Sequence, residues 1–292
     1  MTEAVAFKDD VPPPVAPEVL REATDLLRAR YGSQTIAVPD QWNDTLSILL
    51  SHRSVRAYLP EPLPPGALET IIAAAQSAAT SSNLQAWSVI AVEDKGCKAR
   101  LATLAGRQKH IEQAPLFLVF LADLARLDKI AEDQGGRAGA HDYLESFVIG
   151  VIDAALAAQN AVVALESLGL GSVYIGGIRN HPEEVAAELG LPKNVLAVFG
   201  LCVGTPAALP IPSGIKPRLP QRLVLHRERY DEAIAPDVLA DYNRDLREFQ
   251  KQQGMGEADW TQQAVDRMTS VDALKSRGRL TEALRTLGFG LR

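Results

Sequence analysis

Apolar residues recur at helical spacing in several parts of the chain. Residues 18–31 are predicted as a short amphipathic helix that ends before Gly32, and a second helix begins at Asp44. A third helix is predicted over residues 68–79. A longer helix is predicted over residues 143–168, which are apolar nearly all round. A helix with so little polar surface is buried, and a dimer interface would bury it.

Short runs rich in apolar and β-branched residues predict strands. Four such runs are bounded by turn residues or polar stretches, at residues 86–92, 116–122, 172–175 and 195–203. A helix that starts at Pro182 lies between the last two. Strands mixed with helices in this way imply a layered α/β/α core.

The composition changes after residue 220. Glutamine, arginine and aspartate become more frequent, and the apolar pattern thins into short helices up to Arg292. We therefore divide the chain into an N-terminal extension at residues 1–40, a core domain at residues 41–225 and a C-terminal helical arm at residues 226–292. The arm is expected to pack on the core or on a partner subunit.

The overall composition is that of an ordinary globular protein. Of the 292 residues, 47% are hydrophobic and 23% are charged, which sets aside the disordered and fibrous classes. A net charge of −6 gives no field that would attract nucleic acid or an anionic membrane, so any phosphate must be bound locally. The N-terminus lacks the pattern of a signal peptide, and no apolar run is judged long enough to span a bilayer. A cytoplasmic protein is expected.

Several kinds of chemistry have no motif in the chain. Cys97 and Cys202 are far apart, with no C-x-x-C spacing and no clustered histidines, so neither a disulfide framework nor a metal site is expected. A Ser-His-Asp order, paired catalytic carboxylates and a P-loop also do not stand out. A hydrolase or kinase is therefore not predicted.

Two clusters of basic residues are suited to a phosphate. The first combines an imidazole, a hydroxyl and two guanidiniums within five residues: His52, Arg53, Ser54 and Arg56. The second places two cations on a stiff, proline-bounded turn: Lys216 and Arg218. Arginine forks match phosphate oxygens, and neighbouring cations repel one another unless an anion compensates. A solvated basic helix end remains the alternative interpretation of the first cluster.

Two loops carry groups that could approach a ligand. The hydroxyl-rich loop at residues 80–85 suits phosphate oxygens, polyol hydroxyls or ring carbonyls, although alone it could equally be a capped turn. The glycine-rich residues 169–177 follow a predicted helix and lead into a strand, which is the reverse of a dinucleotide-binding fingerprint. Gly176 and Gly177, at the end of that strand, instead indicate close approach of the backbone to a ligand, or a bulge.

Six segments, taken together and in order, resemble the signature of one family. They are residues 52–56, 81–85, 106–110, 173–180, 199–204 and 216–220. The family is the nitroreductases, and specifically the oxygen-insensitive NADPH nitroreductase and NADPH:flavin reductase branch. The resemblance runs from about Asp44 to the C-terminus with near-family spacing, and residues 1–40 have no counterpart.

The resemblance implies a fold and a cofactor. The fold is α+β, a three-layer α/β/α sandwich with a mixed, largely antiparallel sheet, and two subunits interlock as a homodimer with two FMN sites at their interface. By analogy, the FMN phosphate would be surrounded by His52, Arg53, Thr80, Lys216 and Arg218. The ring edge or ribityl chain would be held by Ser54, Ser82, Gln85 and Gln108, with Arg56 at the N1 and O2 edge. Ser81 is a further cofactor-binding candidate without an assigned contact. The backbone of Tyr174, Ile175, Gly176 and Gly177 would approach N5 and O4.

The activity implied by the resemblance is the reduction of nitro compounds, quinones or free flavin by NADPH, in a ping-pong hydride transfer. No side chain would be essential as an acid or base, because the chemistry takes place on FMN. Among the arginines of the arm, Arg277 follows a Lys-Ser pair as the family's reader of the NADPH 2′-phosphate does, and Arg244 is a second candidate. Gly278 stands where the family commonly has proline.

Other interpretations remain open at this point. The same fold could carry another FMN chemistry, such as reductive dehalogenation or oxidative flavin breakdown. The chain could also bind flavin without turnover, as a redox sensor or a partner subunit. A colourless α/β protein with a basic surface helix is the simplest alternative.

Overall fold

The computed structural model describes residues 17–34, 36–233 and 236–292, so the first 16 residues of the predicted extension lie outside the described part. Its helices are α1 Pro17–Tyr31, α2 Asp44–Ser51, α3 Ala67–Gln76, α4 Lys95–Leu104, α5 Lys109–Gln113, α6 Ala125–Asp133, α7 Leu144–Ser167, α8 Pro182–Leu189, α9 Pro236–Gln252, α10 Trp260–Met268 and α11 Leu280–Thr286. Its strands are β1 Trp87–Val92, β2 Leu116–Asp123, β3 Gly171–Ile175 and β4 Val195–Gly204.

The chain forms two compact units. The smaller unit combines the described residues up to His52 with those of residues 215–260, and the larger unit combines residues 53–214 with residues 261–292. These units cut across the predicted division at residues 40 and 225, and that division stays a prediction. The smaller unit contains α1, α2 and α9, and the larger unit contains the sheet and the helices that cover it.

The sheet of the larger unit has the strand order β1-β2-β4-β3, and every pair of neighbouring strands is antiparallel. All eight residues of β2 are buried, because this strand has a neighbour on each side and a helical layer on each face. All four predicted strands are present, each within one residue of its predicted bounds. A parallel pairing also occurs in the described residues, as an isolated bridge between Ser54 and Ser172.

Helices cover both faces of this sheet, which confirms the three-layer sandwich. Residues of β2 alternate between the faces, because successive side chains of a strand point in opposite directions. Phe117 and Val119 pack with residues of α4, α5 and α8, whereas Leu118 and Phe120 pack with residues of α3 and α7.

Helix α7 lies against the second of these faces through a row of small residues. A methyl group at Gly150 would stand 3.1 Å from the Cβ atom of Ala122, and Ala154, Ala157 and Ala161 are fully buried. With 24 residues, α7 is long and apolar enough to cross a bilayer by length and composition, so the expectation that no run reaches that length is wrong. Its packing on the sheet identifies it as the core helix of the larger unit.

Candidate functional site

The basic segment of the larger unit runs beside β3. The backbone amide of Val55 donates to the carbonyl of Ser172 over 2.8 Å, and the Val55 side chain is buried. Arg53 and Arg56, two residues before Val55 and one residue after it, are exposed to solvent. Within the described ranges, neither guanidinium has a hydrogen bond or an ion pair. Two exposed arginines on a fixed backbone are available to an anion.

The imidazole of His110 lies close enough to Arg56 for the two charges to interact. Burial, and then the positive charge of Arg56, lower the pKa of His110 below its usual value, which favours the neutral ring. Its Nε2 atom is buried and has no hydrogen-bond partner in the described part of the chain. His110 belongs to a segment of the sequence signature, but no local pattern singled it out as a site residue.

The hydroxyl-rich loop at residues 80–85 has an unusual backbone. Ser82, Asn83 and Gln85 all have positive φ values, of 49°, 56° and 50°. Non-glycine residues rarely adopt this conformation, and they persist in it only where the surroundings impose it. Residues 81–85 of the loop are exposed and Thr80 is half-buried, so most of its hydroxyl and amide groups are open to a ligand.

Asp153 imposes this conformation. Its side chain is 1% exposed, and its two oxygens accept hydrogen bonds from the backbone amides of Ser81 over 3.1 Å and Ala86 over 3.0 Å. The carboxylate therefore joins both ends of the loop to α7. Sequence reasoning missed this residue, although an acidic side chain in the middle of a helix that is apolar nearly all round was a signal that could have found it.

The two glycines after β3 differ in their surroundings. A methyl group at Gly177 would stand 2.3 Å from the carbonyl oxygen of Ala105, so close backbone packing within the protein explains this glycine. Gly176 has more room, since its nearest neighbour in that direction is a nitrogen of Arg179 at 3.6 Å. The side chain of Gln108 donates to the carbonyl of Ala105 over 2.8 Å, so it is part of the same packing.

Two guanidiniums lie near Gly176. A nitrogen of Arg277 is 4.0 Å from the position that a Cβ atom would take at Gly176, and Arg179 lies on the same side. Burial, and then the charge of Arg277, lower the pKa of Arg179 below its usual value. Cations this close repel one another, so an anion bound beside them would be stabilised. Sequence reasoning did not single out Arg179.

The arginines of the C-terminal arm differ in their partners. Arg244 pairs with Asp241 over 2.8 Å, Arg247 pairs with Asp259, and Arg279 makes a bidentate pair with Glu183. Within the described residues, Arg277 has no carboxylate partner, and its Nε atom donates to the carbonyl of Leu274.

The smaller unit holds the remaining predicted site residues. His52 follows directly after α2, and Lys216 and Arg218 are exposed on either side of the buried Pro217. The side chain of Arg30, from α1, donates hydrogen bonds to the backbone carbonyls of both His52 and Lys216, over 2.9 Å each. The structure therefore brings these three residues into one unit around Arg30.

Comparison with known proteins gives consistent matches along most of the chain. A model described as the nitroreductase family matches residues 49–205, and one described as its C-terminal domain matches residues 216–292. The oxygen-insensitive NADPH nitroreductase of Salmonella typhimurium is 46% identical over 206 residues, which are 70% of this chain and 82% of that protein. The FMN reductase (NADPH) of Bacillus subtilis is 38% identical over 254 residues, which are 85% of this chain and 98% of that protein. The solved structure of B. megaterium NfrA2 superposes with a TM-score of 0.80 at 40% identity, covering 86% of this chain and all of that one.

Proposed function

This chain belongs to the nitroreductase family, and we propose that it is an FMN-dependent oxidoreductase that uses NADPH to reduce nitro compounds, quinones or free flavin. The observation that carries the proposal is the pair of exposed arginines fixed beside β3, Arg53 and Arg56, which have no hydrogen bond or ion pair in the described part of the chain. The names of the two curated relatives support the donor and the flavin.

The groups in the larger unit fit the chemistry of a flavin mononucleotide. The cofactor carries a dianionic phosphate, a chain of hydroxyls and a ring with polar edges. The larger unit offers the guanidiniums of Arg53 and Arg56, the hydroxyls of the loop at residues 80–85 and the open backbone at Gly176. Charged donors and hydroxyls are the groups that would bind such a ligand.

We assign roles to these residues by the family resemblance. Phosphate contacts are assigned to His52, Arg53, Thr80, Lys216 and Arg218. Contacts to the ring edge or the ribityl chain are assigned to Ser54, Ser82, Gln85 and Gln108, and Ser81 is assigned to the cofactor without a specific contact. Tyr174, Ile175, Gly176 and Gly177 are assigned to the N5 and O4 side through their backbone. Arg56 would provide the cation that stabilises negative charge on the reduced ring.

The protein would contribute position and charge to the reaction. When bound, FMN would accept a hydride from NADPH and pass the electrons to the acceptor. Arg56 would favour the reduced, anionic ring, and the backbone near Gly176 would hold the ring in place. Arg277 would hold the 2′-phosphate of NADPH, because it lies beside Gly176 and has no carboxylate partner in the described residues.

The purified protein is expected to be yellow and to release FMN on denaturation, because the basic residues provide for one terminal phosphate and nothing resembles an adenosine site. Mass spectrometry of the released cofactor checks this.

Addition of NADPH in the absence of oxygen should bleach the bound flavin rapidly, and an added quinone or nitroarene should restore the colour. FAD in place of FMN, or no flavin after reconstitution, would contradict the proposal, and flavin that NADPH does not bleach would indicate a binding protein without turnover.

We further propose that the protein is a homodimer, and the outward face of α7 supports this. Leu144, Val148, Ile152 and Leu156 follow one another at four-residue intervals, so they lie on one side of the helix. Each is between 38% and 51% exposed in the single chain. A continuous apolar stripe of this kind is characteristic of a surface that another protein covers.

Ile152→Glu is expected to dissociate the dimer, because it would place an unpaired carboxylate inside an apolar interface and weaken association by about 100-fold or more. Light scattering over a range of protein concentrations measures the effect. Leu20→Glu, on the exposed side of α1, is the matched control and should leave the mass unchanged. A wild-type protein that stays monomeric and keeps FMN would contradict the proposal.

A further inference from the structure

Helix α1 lies outside both parts of the chain that match the family, which begin at residues 49 and 216. One side of the helix is buried in the smaller unit through Ala23, Leu27 and Arg30, which are spaced four and three residues apart. Two of these residues, Ala23 and Leu27, are apolar. The third is an arginine that is only 6% exposed, so its place in the interior needs an explanation.

The side chain of Arg30 connects two separate stretches of backbone. One terminal nitrogen donates to the carbonyls of Leu50 over 2.7 Å and His52 over 2.9 Å, and the other donates to the carbonyl of Lys216 over 2.9 Å. The first two carbonyls belong to the end of α2, where a helix leaves its carbonyls without partners and favours a cation. The planar guanidinium can bind both stretches at once because its donors point in fixed directions.

The backbone of Arg30 adds a further link to the same region. Its carbonyl accepts a hydrogen bond from the amide of Arg218 over 2.8 Å. One residue of the extension therefore fixes the backbone at His52, Lys216 and Arg218. These are the three residues of the smaller unit that we assign to the FMN phosphate.

The chain after α1 is anchored independently of Arg30. Gly32 has a φ value of 57°, and a side chain there would collide with Asp245 of α9. The same carboxylate accepts hydrogen bonds from the backbone amide and the hydroxyl of Ser33, over 3.0 and 3.1 Å. The end of the helix is therefore held in place, and Arg30 keeps a fixed position relative to α9.

We propose that Arg30 is a positioning residue for the phosphate of the cofactor. It sets the spacing between His52 and the segment Lys216–Arg218 from the N-terminal extension, without touching the cofactor. This role rests on the proposed function, since it presumes that the smaller unit contributes to FMN binding. The extension, which precedes the parts of the chain that match the family, would thus hold in place two segments that lie inside those parts.

The test compares FMN with riboflavin, which lacks the phosphate. Flavin fluorescence is titrated with apoprotein of the wild type, Arg30→Gln and Arg28→Gln, the last being an exposed arginine of the same helix that loses the same charge. Arg30→Gln should weaken FMN binding by about 10-fold and change riboflavin binding by less than about twofold. Arg28→Gln should leave both unchanged.

The outcomes separate the role of Arg30 from a general loss of stability and from the proposed function. Unchanged FMN binding in Arg30→Gln, or equal weakening of both flavins, overturns the positioning role. A wild type that binds no FMN overturns the proposed function instead. If Arg30→Gln does not fold, as judged by circular dichroism, the same titration is made with Arg30→Lys. Arg30→Lys keeps the positive charge but loses the planar group that donates to two backbone stretches at once. If its ratio of FMN affinity to riboflavin affinity equals that of the wild type, the proposal is overturned.

Discussion

Asp153→Ala is expected to lower the free energy of unfolding by about 2–4 kcal/mol, because it leaves the amides of Ser81 and Ala86 without their charged acceptor. The amide of Ala86 is buried, so water cannot readily replace the lost carboxylate. The loop at residues 80–85 should then leave its left-handed conformation, since nothing else in the described contacts holds both of its ends. Urea unfolding at a fixed protein concentration, followed by tryptophan fluorescence, measures the change.

Two further variants sharpen this experiment. Asp153→Asn keeps the shape and one acceptor oxygen but turns an amide group toward one of the two donors, so it should lose part of the stability and not all of it. Glu145→Ala removes an exposed carboxylate from the first turn of the same helix and should change the free energy of unfolding by less than about 1 kcal/mol. If Asp153→Ala matches Glu145→Ala, the buried carboxylate does not hold the loop.

Arg277→Ala is expected to raise the KM for NADPH by about 10- to 100-fold and to leave the KM for NADH nearly unchanged. The change for NADPH corresponds to the loss of one charged contact, which contributes about 1.5–3 kcal/mol. The two donors differ only in the 2′-phosphate, so the difference between them isolates the contact. Steady-state kinetics with each donor and a saturating quinone gives both values.

Arg244→Ala is the comparison variant, because it is the other arginine proposed to read the 2′-phosphate. Arg244 already pairs with Asp241 and donates to the hydroxyl of Ser33, so its removal should change neither KM by more than about twofold. An effect on NADPH from Arg244 and none from Arg277 would move the assignment to Arg244. Equal effects of Arg277→Ala on both donors would refute its role as the phosphate reader, and a wild type that prefers NADH would refute the assignment to the NADPH branch.

The periodicity of apolar residues was sufficient to predict most of the secondary structure. Helix α7 and the four strands are present at nearly the predicted bounds, because a long apolar run or a period of two residues is a local property of the chain. The third helix ends at Gln76, three residues before its predicted end, and α9 is longer than the short helices expected of the arm. Helix α4 was not predicted, since its apolar residues form only a weak stripe.

The candidate site was predicted as residue types and not as an arrangement. The basic residues at 53 and 56, the hydroxyls of the loop and the glycines could be selected because phosphate and polyol binding require those chemical groups. Their accessibility could not be predicted, because it depends on which neighbours pack beside them. Gly177 is a glycine on account of Ala105, a residue 72 positions earlier in the chain, and no local pattern contains that information.

The sequence by itself therefore determined most of the elements, the α/β/α layering and the chemical groups available for an anion, since each of these follows from the order of neighbouring residues. Only the tertiary structure decided which of those groups already have a partner within the protein. In the folded chain Arg279 pairs with Glu183, whereas Arg277 lies beside Arg179. Asp153 binds a loop some seventy residues away in the sequence. The physical reason is that a side chain's partner is chosen by packing across the chain, and packing depends on contacts between residues that are distant in sequence.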